Sequence, residues 1–277
     1  MLKIDSHQHF WKFDKVAHSW ISDDMAVIQR DFMPEDLKPV LDANEIDGCI
    51  TVQVDQTAEE NEFQLRNAEE NDFIKGVVGW VDLFADDLDA QLEQLQPYKK
   101  LKGFRHILQG EADRALMLKP GFLKGISKLK ALNFTYDILI LPDQLKYAAE
   151  LVSQFPDQSF VLDHIAKPDI KGQNIGDWKR DLETLASQPH VHCKLSGMVT
   201  EASWTAWKPV DFRPYLDVVF EAFGIQRVMY GSDWPVSLVA ASYKQVKDLA
   251  AGYVSQFSAT EQELFWGGNA IKFYNLK

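Results

Sequence analysis

Eight short runs of apolar and β-branched residues punctuate the chain, each followed by a polar turn and, in most cases, by residues at helical spacing. The runs are Leu2–Ser6, Gly48–Val54, Lys75–Asp82, Lys102–His106, Phe134–Leu139, Ser159–His164, Val191–Ser196 and Arg227–Ser232. Several are apolar at consecutive positions (CITVQV, GVVGWV, FVL), which suits parallel strands covered on both faces. Their starts recur at the ~30-residue spacing of one strand–helix unit. Between them, residues 34–44 open with Pro34 in a first turn and put Leu37, Val40 and Leu41 on one face. Residues 57–72 begin Thr57-Ala-Glu-Glu60, a capping-box pattern. Residues 142–155 place Leu145, Ala148, Ala149 and Val152 at helical spacing, and residues 211–223 and 259–274 behave likewise.

Eight such units either close as a barrel or stay open as a doubly wound sheet. An open dinucleotide-binding sheet carries G-x-G-x-x-G after its first strand. Here that turn reads Ser6-His-Gln-His-Phe10, without glycine, and no G-x-x-x-x-G-K-[ST] phosphate loop occurs. The pattern therefore predicts an α/β fold, one (β/α)8 barrel spanning residues 1–277.

Composition narrows the partners. With 41 Asp and Glu against 29 Lys and Arg, the net charge is −12, which argues against nucleic acid and against anionic membrane surfaces. No basic segment followed by an apolar run opens the chain, and no stretch approaches the ~18 apolar residues of a membrane span. A cytoplasmic protein is expected. Two cysteines, Cys49 and Cys193, fit a reducing compartment. Cys193 alternates with Lys194 and should face the helices; Cys49 lies in the first half of its strand, and neither reads as a nucleophile.

In a barrel of this kind, reactive groups gather at the C-terminal ends of the strands. Strand one ends in His7-x-His9, strand four in Arg105-His106 and strand six in Asp163-His164. Strand eight runs into Ser232-Asp233-Trp234, and strand seven offers Lys194 and Ser196. Four of the seven histidines thus collect at one end of the barrel. His7 and His9 are two apart on an extended chain, so both point to the same side and can share a cation or flank one substrate oxygen. Asp233 completes either arrangement, as a third ligand or as a base toward water. His190-x-His192 looks the same but lies at the start of strand seven, so His192 is expected near the barrel floor with a satisfied N–H and His190 in a loop. His18 reads as a surface or lid residue. Among the aromatics, Trp11 lies two residues beyond His9, where an apolar plane can cover a sugar ring. Trp80, Trp204, Trp207 and Trp234 are further candidates for such a wall.

The run Ile4-Asp5-Ser6-His7-Gln8-His9-Phe10-Trp11 resembles the opening of the amidohydrolase-2 group of the amidohydrolase superfamily. Lys102-Gly-Phe-Arg-His-Ile107, Val161-Leu-Asp-His-Ile-Ala-Lys-Pro168 and Lys194-Leu-Ser-Gly197 extend the likeness. Met229-Tyr-Gly-Ser-Asp-Trp-Pro235 and Leu264-Phe-Trp-Gly-Gly-Asn-Ala270 carry it to the C-terminal end. Within that group the chain looks most like the sugar-lactone hydrolases of the L-fuconolactonase and L-rhamnonolactonase types. The resemblance implies a distorted TIM barrel with His7, His9, His164 and Asp233 as its catalytic centre, opening a cyclic ester of a sugar acid. Asp233 would activate water, while Trp11, Arg105, His106, Lys194 and Trp234 would meet the substrate. Many superfamily members draw a metal-binding histidine from strand five; here that strand reads Phe134-Thr-Tyr-Asp-Ile-Leu139, with Asp137 as its only ionisable group near the end. Two options stay open: one divalent cation such as Zn²⁺ on His7, His9 and Asp233, or histidines that polarise the carbonyl unaided. The alternatives are a metal-dependent decarboxylase of an aromatic or unsaturated acid, an amide hydrolase, and a non-catalytic barrel that binds a sugar acid.

Overall fold

The computed structural model describes all 277 residues. Eight parallel strands follow one another around the sheet in chain order. They are β1 (Ile4–Gln8), β2 (Gly48–Val52), β3 (Ile74–Gly79), β4 (Leu101–His106), β5 (Thr135–Ile138), β6 (Phe160–Leu162), β7 (Val191–Leu195) and β8 (Val228–Tyr230). The ring closes between its first and last strands at their C-terminal ends: Asp233 N donates to His7 O and His9 N to Trp234 O, each at 2.8 Å. Every strand expected from the apolar runs is present. The ends move by up to three residues; β1 shifts by two, starting at Ile4 and running through His7 to Gln8, and β3 ends at Gly79 rather than Asp82.

The outer layer comprises α1 (Pro34–Ala43), α2 (Ala58–Glu70), α3 (Leu88–Leu95), α4 (Pro120–Leu129), α5 (Leu145–Ser153), α6 (Gly176–Ala186), α7 (Pro209–Phe223) and α8 (Tyr243–Val254), with α9 (Ala259–Glu263) and α10 (Asn269–Phe273) at the end of the chain. Thr57 caps α2 by accepting a bond from Glu60 N, as the sequence pattern predicts. Helices α3, α4, α6 and α8 are additional to those the periodicity marks. The single helix expected over 259–274 is divided by a π-helical turn at Leu264–Gly268. No helix is long and apolar enough to cross a membrane.

Apolar burial falls into two layers. The larger lies between strands and helices and takes in Cys49 and Cys193, both free thiols. The smaller fills the barrel floor with Ile4, Ile50, Val52, Val78, Val161 and Met229, sealed from below by Ala270 and Tyr274 of the C-terminal segment. Because the floor is plugged, side chains higher in the barrel have one route to solvent, at the C-terminal ends of the strands.

His192 sits low in the barrel beside Phe273, ring centroids 4.8 Å apart. Its Nδ1 is buried without a partner, unlike the satisfied N–H expected from sequence. Burial, helped by the charges of Arg227 and Lys272, lowers its pKa from 6.5 to about 4. The unfolded chain therefore binds a proton that the folded chain refuses, and stability is lost as pH falls from 6.5 toward 4. At about 1.4 kcal/mol per pKa unit, this amounts to roughly 3 kcal/mol. Urea unfolding at pH 7 and pH 4 should show His192→Gln losing less stability on acidification than the wild type, with activity retained. Identical pH dependence in the two proteins would contradict this reading.

Candidate active site

The centre begins with a break in strand alternation. Ile4 faces the barrel floor, and Asp5 faces the outer layer, where Tyr243 donates to its carboxylate at 3.0 Å. Strict alternation from there would turn His7 outward with Asp5. The β1–β2 pairing instead shifts register between Asp5 and Gln8, and His7 turns into the interior. Asp5 fastens the irregularity: its Oδ1 accepts from His7 N at 3.2 Å and from Ser232 N at 2.8 Å. One buried carboxylate thereby ties the histidine strand to the loop that carries Asp233.

A second break follows β6. Asp163 points inward in phase with Val161, and the chain then enters a left-handed turn in which His164, Ile165, Ala166 and Lys167 all have φ between 49° and 58°. Such backbone costs roughly 1–2 kcal/mol per non-glycine residue, so packing must hold it. Lys167 N donates to His164 O at 2.8 Å, and Trp178 Nε1 donates to Ile165 O at 2.8 Å. The turn gives the barrel two consecutive inward residues, Asp163 and His164, where a regular strand provides one. Glycines clear space for the rings. A Cβ at Gly197 would lie 2.6 Å from His164 Nδ1, and one at Gly231 would lie 2.8 Å from His7 Cβ.

Beneath the histidines lies a buried ionic layer, of which only Arg105 reaches the cavity above. Lys194 Nζ is 2.5 Å from Asp137 Oδ2, 3.1 Å from Asp163 Oδ1 and 3.2 Å from His7 Nδ1. Arg105 Nη1 is 3.1 Å from Asp163 Oδ2 and 3.3 Å from His7 Nε2, while its Nη2 donates to Gln53 O and Oε1. From the floor, Tyr274 donates to Asp137 Oδ2 at 2.9 Å. Burial penalises the Asp163 carboxylate, but Lys194, His7 and Arg105 together hold its pKa well below the ordinary value. Asp137, with only Lys194 as cation and with Asp163 repelling it, is raised by burial to about 6.

Above this layer His7, His9, His164 and Asp233 converge. His9 Nε2 is 3.2 Å from His7 Nε2 and 3.4 Å from Asp233 Oδ1. The Nε2 atoms of His7 and His164 each lie 3.9 Å from Asp233 Oδ1. The far side of each ring is engaged: His9 Nδ1 donates to Val52 O at 2.7 Å, and His164 Nδ1 meets Ser196 Oγ at 2.9 Å. His7 is engaged at both nitrogens: Nδ1 lies 3.2 Å from Lys194 Nζ and 3.2 Å from Asp163 Oδ1, and Nε2 lies 3.2 Å from His9 Nε2 and 3.3 Å from Arg105 Nη1. Burial drives the pKa of His7 and of His164 well below 6.5, so both are neutral at pH 7. Burial pushes Asp233 the other way, but the neighbouring His164 imidazole and the hydrogen bond from His9 outweigh it, and its pKa falls below the ordinary value.

This donor set suits a cation. Ligand atoms of His7, His164 and Asp233 all lie within 4.8 Å of one another. A tetrahedral ion with bonds of about 2.0–2.1 Å separates its ligand atoms by about 3.3 Å, shorter than the 3.9 Å from Asp233 Oδ1 to His7 and His164 Nε2, so the side chains would draw together around an ion. Of the expected set of His7, His9 and Asp233, this group holds His7 and Asp233, with His164 as its third member in place of His9. Rings fixed at Nδ1 by a carbonyl or carboxylate are also the usual support for metal-binding histidines.

A cavity of about 410 Å³ opens over the cluster, lined by His9, His164, Asp233 and Arg105 and walled by Trp11, Trp20 and Trp204. Its size is that of an ordinary small-molecule site. Of the residues expected to meet substrate, Trp11 and Arg105 reach its wall. The other three do not. Lys194 is sealed in the ionic layer, His106 pairs with Glu111 at 2.9 Å to one side, and Trp234 packs against Phe10 and Phe32. His18 is buried rather than on the surface, 3.3 Å from Asp55, and Trp80 and Trp207 lie away from the cavity. Lys167, Thr200 and Glu201 also line it; Lys167 lies within the Val161–Pro168 run but had no role assigned to it, and Thr200 and Glu201 fall in no motif.

The fold and this centre define an amidohydrolase, and the chain belongs to that family, whose profile (Amidohydro_2) matches residues 4–276. It is 40% identical over 286 residues to an L-fucono-1,5-lactonase of Burkholderia multivorans, covering 99% of this chain and 96% of that one. An L-fucono-1,5-lactonase of Burkholderia ambifaria is 33% identical, again over 99% and 96% of the two chains. Among solved structures, an amidohydrolase from Burkholderia multivorans with bound zinc superimposes with a TM-score of 0.96 over the whole of both chains, at 40% identity.

The ionic layer makes a quantitative demand. Removing one partner of a buried ion pair costs about 3–5 kcal/mol, whereas removing both charges costs less. Lys194→Met should therefore lower the urea-unfolding free energy by that amount, and Lys194→Met with Asp137→Asn should recover part of it. A single variant within about 1 kcal/mol of wild type, or a double variant as weak as the sum of its parts, would exclude this view of the layer.

Proposed function

We propose that this barrel hydrolyses a sugar lactone to the corresponding aldonic acid, with L-fucono-1,5-lactone the first substrate to consider. The observation that carries the proposal is Asp233: an ionised carboxylate at the base of an aromatic-walled cavity, held among three imidazoles. The near-full-length likeness to L-fucono-1,5-lactonases supports the choice of substrate. The negative net charge also suits a neutral lactone better than a polyanion.

Lactone hydrolysis requires a polarised carbonyl, an aimed water and a proton for the leaving alkoxide. Asp233, below its ordinary pKa, is ready at neutral pH to accept a proton from water and pass it on to the ring oxygen. His164 is neutral, and when Ser196 donates to its Nδ1 the opposite N–H faces the cavity as a donor to the carbonyl oxygen. Arg105 adds a fixed positive charge in the cavity wall, where negative charge builds on that oxygen. Trp11 presents an apolar plane to the sugar ring. His7 lies one layer down, and Asp163, Lys194 and Arg105 set its proton and orientation. If the centre is loaded, His7, His9, His164 and Asp233 hold the ion, Zn²⁺ by the chemistry of the donors, and it supplies Lewis acidity toward the carbonyl.

Asp233→Asn keeps the shape of the carboxylate and removes its basicity. Hydrolysis of L-fucono-1,5-lactone should fall by about 10²–10⁴-fold in kcat, with near-UV circular dichroism unchanged. Turnover close to wild type would remove Asp233 as the base.

A further inference from the structure

The left-handed turn that aims His164 also delivers a second charged group to the cavity. Lys167 is its last residue, and Glu201 arrives beside it from the segment after β7; the two line the wall together with Trp204. Their charged ends are 3.5 Å apart, and their side chains are only 20% and 25% exposed. Glu201 Oε1 also receives a long contact from Thr200 Oγ1 at 3.5 Å. No other side-chain hydrogen bond engages either charged group. A pair largely withdrawn from water yet loosely closed contributes little to stability, because desolvation offsets a weak attraction. It retains donors on the ammonium and acceptor sites on the carboxylate, at the edge of the space above Asp233. Burial raises the Glu201 pKa against the pull of Lys167, as expected of a carboxylate short of partners.

We infer that Lys167 and Glu201 form a hydroxyl-reading subsite, in which Lys167 donates to and Glu201 accepts from neighbouring hydroxyls of the sugar ring while Trp204 lies against its face. A hydroxyl is both donor and acceptor, so one diol satisfies both charges, and charge-assisted bonds are the stronger kind. The pair thus sets which polyhydroxylated lactones are held, whereas Asp233 and His164 act on the carbonyl that all lactones share. This inference rests on the lactonase reading for its substrate class.

The test separates the two. Calorimetric titration with 1,5-anhydro-L-fucitol probes the hydroxyls without a lactone carbonyl. Wild type should bind it, and Lys167→Met and Glu201→Gln should each weaken binding by about 10- to 100-fold. In hydrolysis of L-fucono-1,5-lactone the same variants should raise KM with kcat changed by no more than a few-fold. Absence of binding by wild type, unaltered binding by both variants, or a loss confined to kcat would overturn the subsite, the last by moving the pair to the chemical step. Binding of the polyol ring by a protein that hydrolyses no lactone would keep the subsite and discard the lactonase reading.

Discussion

An enclosed barrel that holds two carboxylates, an ammonium and a guanidinium must fix each of them against the others, and the rest of the site depends on that requirement. Asp163 is the hinge: Lys194 and Arg105 neutralise it, and in doing so they stand on either side of the His7 ring. The layer is insulated below by Tyr274 and the apolar floor. Apart from Arg105, which reaches the cavity wall, the layer is closed to solvent, so protein charges dominate the surroundings of His7. Preorganisation of this kind lets a polar site act without reorganising at the moment of reaction.

Regular strands supply one inward side chain in two, which is too sparse for such a centre. The chain raises the density twice, with the register shift in β1 that brings His7 inward after Ile4 and with the left-handed turn that lets His164 follow Asp163. Each device costs backbone energy and is tied down by buried hydrogen bonds. The same turn sets Lys167 at the cavity edge, so the groups proposed for catalysis and for substrate reading share one strained segment.

Much of this was legible in the chain. Consecutive apolar runs identify buried parallel strands whatever their exact ends, because a strand covered on both faces has little room for polar residues. The H-x-H pair and Asp233 could be read together because the barrel collects strand ends, and His192 was separable because its place at a strand start puts it on the floor. What sequence could not carry is orientation set by irregular backbone. Alternation places Lys194 in the interior but does not reveal that Asp137 and Asp163 arrive beside it and seal it away from substrate. His106 pairs sideways with Glu111, and Trp234 turns to Phe10 and Phe32. Lys167 and Glu201 lie far apart in sequence, Glu201 in a segment without a motif, and the left-handed turn brings them together.

The central claim is that this arrangement opens sugar lactones, and proton release from a panel of aldonolactones, followed with a pH indicator, tests it most directly. The panel comprises the L-fucono, L-rhamnono, L-galactono and D-arabinono forms. The account predicts release well above the uncatalysed rate, fastest with the L-fucono form. Folded protein that releases no protons from any of them would contradict it.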